Sequence, residues 1–186
     1  AGKPVPPLDD LLTVPLAMPA EELTALLSSR HLPKLERIFQ SHRRPKEYDL
    51  RGVLLYGIAE CERSLRAPEL MTEGRLEEFG RLMFVSHDGD RVRQFRRNQA
   101  GAWRNLPYLY ECTDAALNRL CEDLASEDPD RVLRAQLYMQ PGAYGCSTAE
   151  IDKMIDVVKD LSGVYGAQLG GAGLGCRTGC GAGFGG

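Results

Sequence analysis

The sequence predicts a helix-rich α+β fold. Three observations carry the prediction. Apolar residues recur at helical spacing through most of the chain, Val164–Leu169 reads as a strand, and 186 residues are enough to bury a core within one domain.

The elements follow in order. The first 19 residues hold five prolines, which oppose a continuous helix and predict an extended connector. Pro19-Ala20-Glu21-Glu22-Leu23 then opens a short helix, with acids in the first turn where the helix dipole favours them. A second helix is predicted from Pro33 to about Ser41, with Leu35, Ile38 and Phe39 on one face. From Asp49 onward Leu54, Ile58, Cys61 and Leu65 form an apolar stripe, and Pro68 is expected to close that helix. Leu76, Phe79, Leu82 and Met83 mark the next helix, expected to end before Ser86-His87-Asp88.

Two weaker strand candidates follow, Gln94–Arg97 and Leu106–Tyr110. Leu117, Leu120, Cys121 and Leu124 then form another amphipathic stripe, and Val132-Leu133 begins a short helix reaching about Met139. Residues 141–146 read as a loop because proline and glycine punctuate them. Ser147 with Glu150 has the spacing of a capping box ahead of Ile151, Met154, Ile155, Val158 and Leu161, and Gly163 ends that helix. The predicted strand Val164–Leu169 empties into Gly170-Gly171-Ala172-Gly173-Leu174-Gly175, where residues without a Cβ let backbone N–H groups converge on a ligand.

Composition removes several classes of function. A net charge of −3 argues against a nucleic-acid partner, and the run Arg91, Arg93, Arg96, Arg97 reads as a solvated face because no aromatic platform repeats with it. No apolar run is long enough to span a membrane, and the first 20 residues lack the basic start and apolar centre of a signal peptide, so the expected location is cytoplasmic. The six cysteines are irregularly spread, which predicts reduced thiols. Cys176 and Cys180 have a spacing two zinc ligands use, but no second pair or histidine follows, so no metal site is assigned.

Four pieces in a fixed order say more than any one of them. They are Gly80-Arg81-Leu82-Met83, Ser86-His87, the run from Ser147 to Asp152, and Gly171 to Cys176. Together they resemble the C-terminal half of the GHMP-family sugar kinases, closest to galactokinase and arabinokinase-like members, over roughly residues 50 to 176. The stretch between His87 and Ser147 is longer than in an ordinary galactokinase. The resemblance implies a ferredoxin-like C-terminal domain with helices packed on one face of a small antiparallel sheet. It also implies residues 1–48 as a connector with short helices from an N-terminal half, and residues 49–186 as the C-terminal domain with its glycine-rich tail.

The activity it implies is ATP-dependent phosphorylation of a sugar at its anomeric hydroxyl. In this family a Pro-x-x-x-Gly-Leu-Ser-Ser-Ser-Ala loop holds the ATP phosphates, and the catalytic aspartate lies in the same N-terminal half. Neither is present, since Ser28-Ser29 follows Leu26-Leu27 with no glycine before it. The expectation is therefore the back half of a larger protein, inactive alone, with ATP, Mg and most sugar contacts supplied by the other half. The tail after Gly175 departs from the family pattern, which continues with a glycine and a hydrophobic strand, and reads as a frame slip or truncation.

Within this half, Gly171, Ala172, Gly173, Leu174 and Gly175 are the expected cofactor-supporting loop, and Ser86, His87, Tyr144 and Ser147 are the candidates for the sugar cleft. His87 equally suits a helix C-terminus, where an imidazole bonds the last carbonyls. Asp88-Gly89-Asp90 has carboxylates that magnesium accepts, but the resemblance puts the metal on the other half, and no catalytic residue is assigned here. The competing reading is a non-catalytic ligand-binding or regulatory module that kept this fold.

Overall fold

The computed structural model describes residues 8–170, so the expected loop Gly171–Gly175 and the cysteines Cys176 and Cys180 lie outside the described residues. The chain opens with a 3-10 turn, Leu8–Thr13, that places Leu8 and Leu11 in the core beside Leu55, Cys112 and Leu117. The core thus crosses the boundary expected at residue 48, and Arg51 ties the crossing together. Its Nε donates to Val14 O (2.8 Å), its Nη1 to Cys112 O (3.0 Å) and to the Asp114 carboxylate (2.6 Å). Residues 8–14 are held by apolar contact and by one buried guanidinium.

Strand β1 (Ala17–Met18) pairs antiparallel with β2 (Tyr48–Asp49), enclosing α1 (Ala20–Leu26) and α2 (Leu32–Gln40). Helix α3 (Arg51–Thr72) runs straight through Pro68, contrary to the expected stop, and the additional turn buries Leu70. Its buried face is also displaced from the predicted stripe: Leu54 and Leu65 are exposed, while Gly52, Leu55, Ala59 and Arg63 point inward. Hydrophobicity alone misreads this face because small residues let neighbouring backbone approach it. A Cβ on Gly52 would stand 2.8 Å from Ala143 Cβ. Arg63 is drawn in by carbonyls, its Nη1 donating to Tyr138 O and Gln140 O (3.0 Å each).

Helix α4 (Leu76–Asp90) likewise continues past its expected end, so Ser86 and His87 lie within the helix rather than beyond it. Within the polar run Asp90 is buried against donors from Tyr56 and Cys146, and His87 faces Asp152. The hairpin β3 (Arg93–Arg97) and β4 (Trp103–Pro107) follows, in register from Arg93↔Pro107 to Arg97↔Trp103. The first strand candidate is found, whereas the second begins three residues earlier than expected. The turn is closed by Asn98, whose side chain accepts from the N–H of Ala100 and Ala102, and by Gly101 at φ 79°.

Helices α5 (Asp114–Leu124) and α6 (Pro129–Ala135) pack on each other, capped by Thr113 and Asp128 respectively. A 3-10 turn, Leu137–Met139, leads into the 141–147 loop and α7 (Ala149–Lys159). The cap of α7 is Thr148, whose Oγ1 accepts from Ile151 N (3.3 Å); the predicted Ser147–Glu150 box does not form because Ser147 is fully buried elsewhere.

Gly163, at φ 84°, turns the chain back. The predicted strand Val164–Leu169 has no strand partner among the described residues; it lies against α4, where Gly166 abuts Gly80. Among the described residues the architecture is therefore helix-rich with two separate two-stranded antiparallel sheets. Among the described residues no helix is long and apolar enough to cross a membrane.

Candidate functional site

The end of α4, the start of α7 and the 141–147 loop converge on one region. Backbone bonds fix the loop first: Ala143 N donates to Gly52 O (2.9 Å), Tyr144 N to Gly89 O (2.8 Å) and Ser147 N to Asp90 O (2.8 Å). Gly142 allows the approach. Its φ is 70°, and a side chain there would collide with the Tyr56 backbone, so the position demands glycine twice over.

Behind the loop sits a buried pair. His87 Nε2 lies 3.2 Å from Asp152 Oδ1, both side chains fully enclosed, and the angle falls short of a well-formed hydrogen bond. The other Asp152 oxygen accepts from Val92 N (3.0 Å) and Arg93 N (2.7 Å). Burial works to raise the Asp152 pKa, but the nearby His87 imidazole, Ser147 and these two amides prevail and hold it below the usual carboxylate range. One turn on, Asp156 Oδ2 accepts from Phe95 N (2.6 Å) and from Arg91 Nη1 (2.7 Å). Two carboxylates of α7 therefore occupy the N–H groups along the free edge of β3, which would otherwise invite another strand.

In front of the pair is Asp90, 4% exposed. Tyr56 Oη donates to its Oδ2 (3.2 Å) and Cys146 Sγ to its Oδ1 (3.0 Å). Burial raises its pKa, and the two donors only partly oppose the shift. Tyr144 stacks on Tyr56 with ring centroids 5.1 Å apart and planes inclined by 13°. These groups border a cleft of about 300 Å³ walled also by Glu60, Ser86 and the segment Gln168–Gly170, the last described residues before the glycine-rich run.

No family model, curated protein or solved structure matches the chain.

Of the four predicted cleft residues, Ser86 and Tyr144 line this cleft, while His87 and Ser147 are sealed behind it. His87 does not bond the last carbonyls of its helix, since Asp152 of another helix faces it instead. Sequence reasoning missed Tyr56, Cys146 and the role of Asp90. Asp90 was visible as an acid in a polar run, but nothing in that run tells that Tyr56 and Cys146 come to it.

Magnesium does not fit the described carboxylates. Asp88 and Asp156 are taken by Arg91, Asp90 by Tyr56 and Cys146, and Asp152 by its amides. Among the described residues no group of three or more His, Cys, Asp or Glu has the arrangement of a metal site. What the arrangement offers is a shaped wall: two stacked tyrosines, a serine hydroxyl and a carboxylate held by two donors.

Proposed function

We propose that this chain is the C-terminal portion of a cytoplasmic galactokinase- or arabinokinase-like GHMP sugar kinase, forming that family's ferredoxin-like domain and closing a cleft over the sugar. One observation supports the reading above others. Two of the sequence pieces that carry the resemblance meet in space, since His87 of Ser86-His87 faces Asp152 of the Ser147–Asp152 run, and Gly80 of Gly80-Arg81-Leu82-Met83 abuts Gly166 in the segment that leads toward the glycine-rich run. Motif pieces that serve a single cleft need that convergence, whereas accidental matches have no reason to touch.

In this reading ATP, Mg and the catalytic aspartate belong to the other half, and no chemical step is assigned to the described residues. Their part is positional. The Tyr56–Tyr144 stack offers a flat apolar surface to a sugar ring face, Ser86 lines the cleft beside it, and the buried His87–Asp152 pair keeps α4 and α7 in place behind them.

The test is sugar-dependent ADP release by the full-length protein in which this chain occurs, across a panel of aldoses. Turnover on galactose or arabinose, with KM raised about tenfold or more by Tyr144→Ala, is the expected result. Absence of any sugar-dependent turnover, with an upstream region lacking a Gly-Leu-Ser-Ser-Ser loop, defeats the proposal and leaves a non-catalytic binding module.

A further inference from the structure

A second cleft, of about 390 Å³, lies between β2, the end of α4, the segment after β4 and the 143–146 loop. Its walls include Tyr48, Tyr108 and Tyr144. Two of these rings are braced from outside the cleft lining, Tyr144 by Tyr56 (5.1 Å) and Tyr48 by Phe39 (5.4 Å), so the cleft is bounded by supported aromatic surface. Arg91 also lines it although only 5% of the residue is exposed.

The guanidinium is fixed by its neighbours. Nε donates to Asp88 (2.9 Å) and Nη1 to Asp156 (2.7 Å) and Arg93 O (3.2 Å), while Nη2 makes no hydrogen bond among the described residues. Two carboxylates thus orient Arg91 and offset its charge, leaving one donor without a bond among the described residues rather than a positive field. Glu47 and Asp49 also line the cleft, and neither forms an ion pair among the described residues. Arg91 with its partners Asp88 and Asp156 and the lining acids Glu47 and Asp49 makes one cation against four acids. An anion is repelled by that balance, and a ligand without an acceptor leaves Nη2 unanswered.

We infer that this cleft binds an uncharged planar aromatic molecule bearing a carbonyl, the ring lying among Tyr48, Tyr108 and Tyr144 and the carbonyl oxygen accepting from Arg91 Nη2. The site stands whether or not the chain belongs to a sugar kinase.

Three matched probes test it by NMR titration of the labelled chain. Nicotinamide has the neutral ring and the carbonyl, nicotinate replaces the amide with a charge, and 3-methylpyridine removes the carbonyl. Nicotinamide is expected to shift the amides of Gly89, Ala143 and Gly145 saturably, with the other two at least about tenfold weaker, the loss expected for one charge-assisted hydrogen bond or one repelled charge. Glu47→Gln with Asp49→Asn, both at the surface, should strengthen nicotinate and leave nicotinamide within about twofold, a split that a merely structural role does not produce. Equal or tighter binding of nicotinate or 3-methylpyridine overturns the inference, as does the absence of saturable shifts with nicotinamide.

Discussion

Gly80 in α4 and Gly166 in the segment after α7 meet backbone to backbone. A Cβ on Gly80 would collide with the Tyr165 carbonyl, and one on Gly166 with the Gly80 backbone. The contact holds the approach to the glycine-rich run against the helix that carries Ser86 and His87, so it couples the two walls of the smaller cleft.

Gly80→Ala is therefore expected to cost about 3 kcal/mol or more, because the methyl meets backbone that has no rotamer to escape into. Gly57→Ala is the control. Gly57 lies in the same kind of helical setting on α3 with nothing within 4 Å of an added Cβ, and alanine there should stabilise by about 0.5–1 kcal/mol. Urea unfolding of both variants decides the matter; similar midpoints would show that the Gly80 contact is not made in solution.

Two of the buried aspartates, Asp152 and Asp90, should pull stability in opposite directions with pH. Asp152 has a folded pKa below its unfolded value, so its contribution is complete above about pH 4 and is lost as pH falls through the folded value. Asp90 has a raised folded pKa, so the folded state loses ground as pH rises from about 4 through that higher value. Urea midpoints measured between about pH 3 and pH 7 should show Asp152→Asn removing acid-side loss and Asp90→Asn removing the loss on the rising side. Parallel pH profiles for wild type and both variants would refute the assignment.

These two aspartates also mark how far the sequence could be read. Helices α1, α2, α5 and α7 were legible as elements, α2 within a residue at each end, because apolar spacing and acidic starts are local signals, while α5 and α7 end about three residues before the stops expected at Asp128-Pro129 and Gly163. The buried face of α3 was not, since Gly52, Ala59 and Arg63 are inward for close approach and hydrogen bonding rather than hydrophobicity. Val164–Leu169 has a strand's composition, but its neighbour is the glycine of a helix and not another strand. At the candidate site, Ser86 and Tyr144, named from a motif and a loop, line the smaller cleft. The donors to Asp90 come from positions 34 residues earlier and 56 later, and no local pattern reports such a meeting.

One ion pair with unequal ends offers a sharper stability test. Arg51 is 4% exposed and bonds the carbonyls of Val14 and Cys112, whereas the Asp114 side chain it also meets is 72% exposed. Removing the buried end should matter far more than removing the solvated one. Arg51→Met is expected to lose about 3 kcal/mol and to release the N-terminal turn to proteolysis, while Asp114→Ala loses about 0.5 kcal/mol. Equal losses would mean that the pair, and not the carbonyl clamp, carries the contribution.

Thiol reactivity reports on the same corner of the core. Cys112 is 7% exposed among Leu8, Leu11 and Leu117, and burial pushes its pKa up to about 11, with Arg51 opposing only in part. The reactive species is the thiolate, so at about pH 8 both access and ionisation protect this residue. Cys61 sits exposed on α3. Iodoacetamide should modify Cys61 at least about tenfold faster than Cys112 in the folded protein, with the difference vanishing in denaturant. In Arg51→Met the Cys112 rate should rise, since the clamp that seals it from the N-terminal side is gone. Peptide-resolved mass spectrometry reads both sites at once, and an unchanged Cys112 rate in that variant would show that Leu8 and Leu11 keep the core closed without the guanidinium.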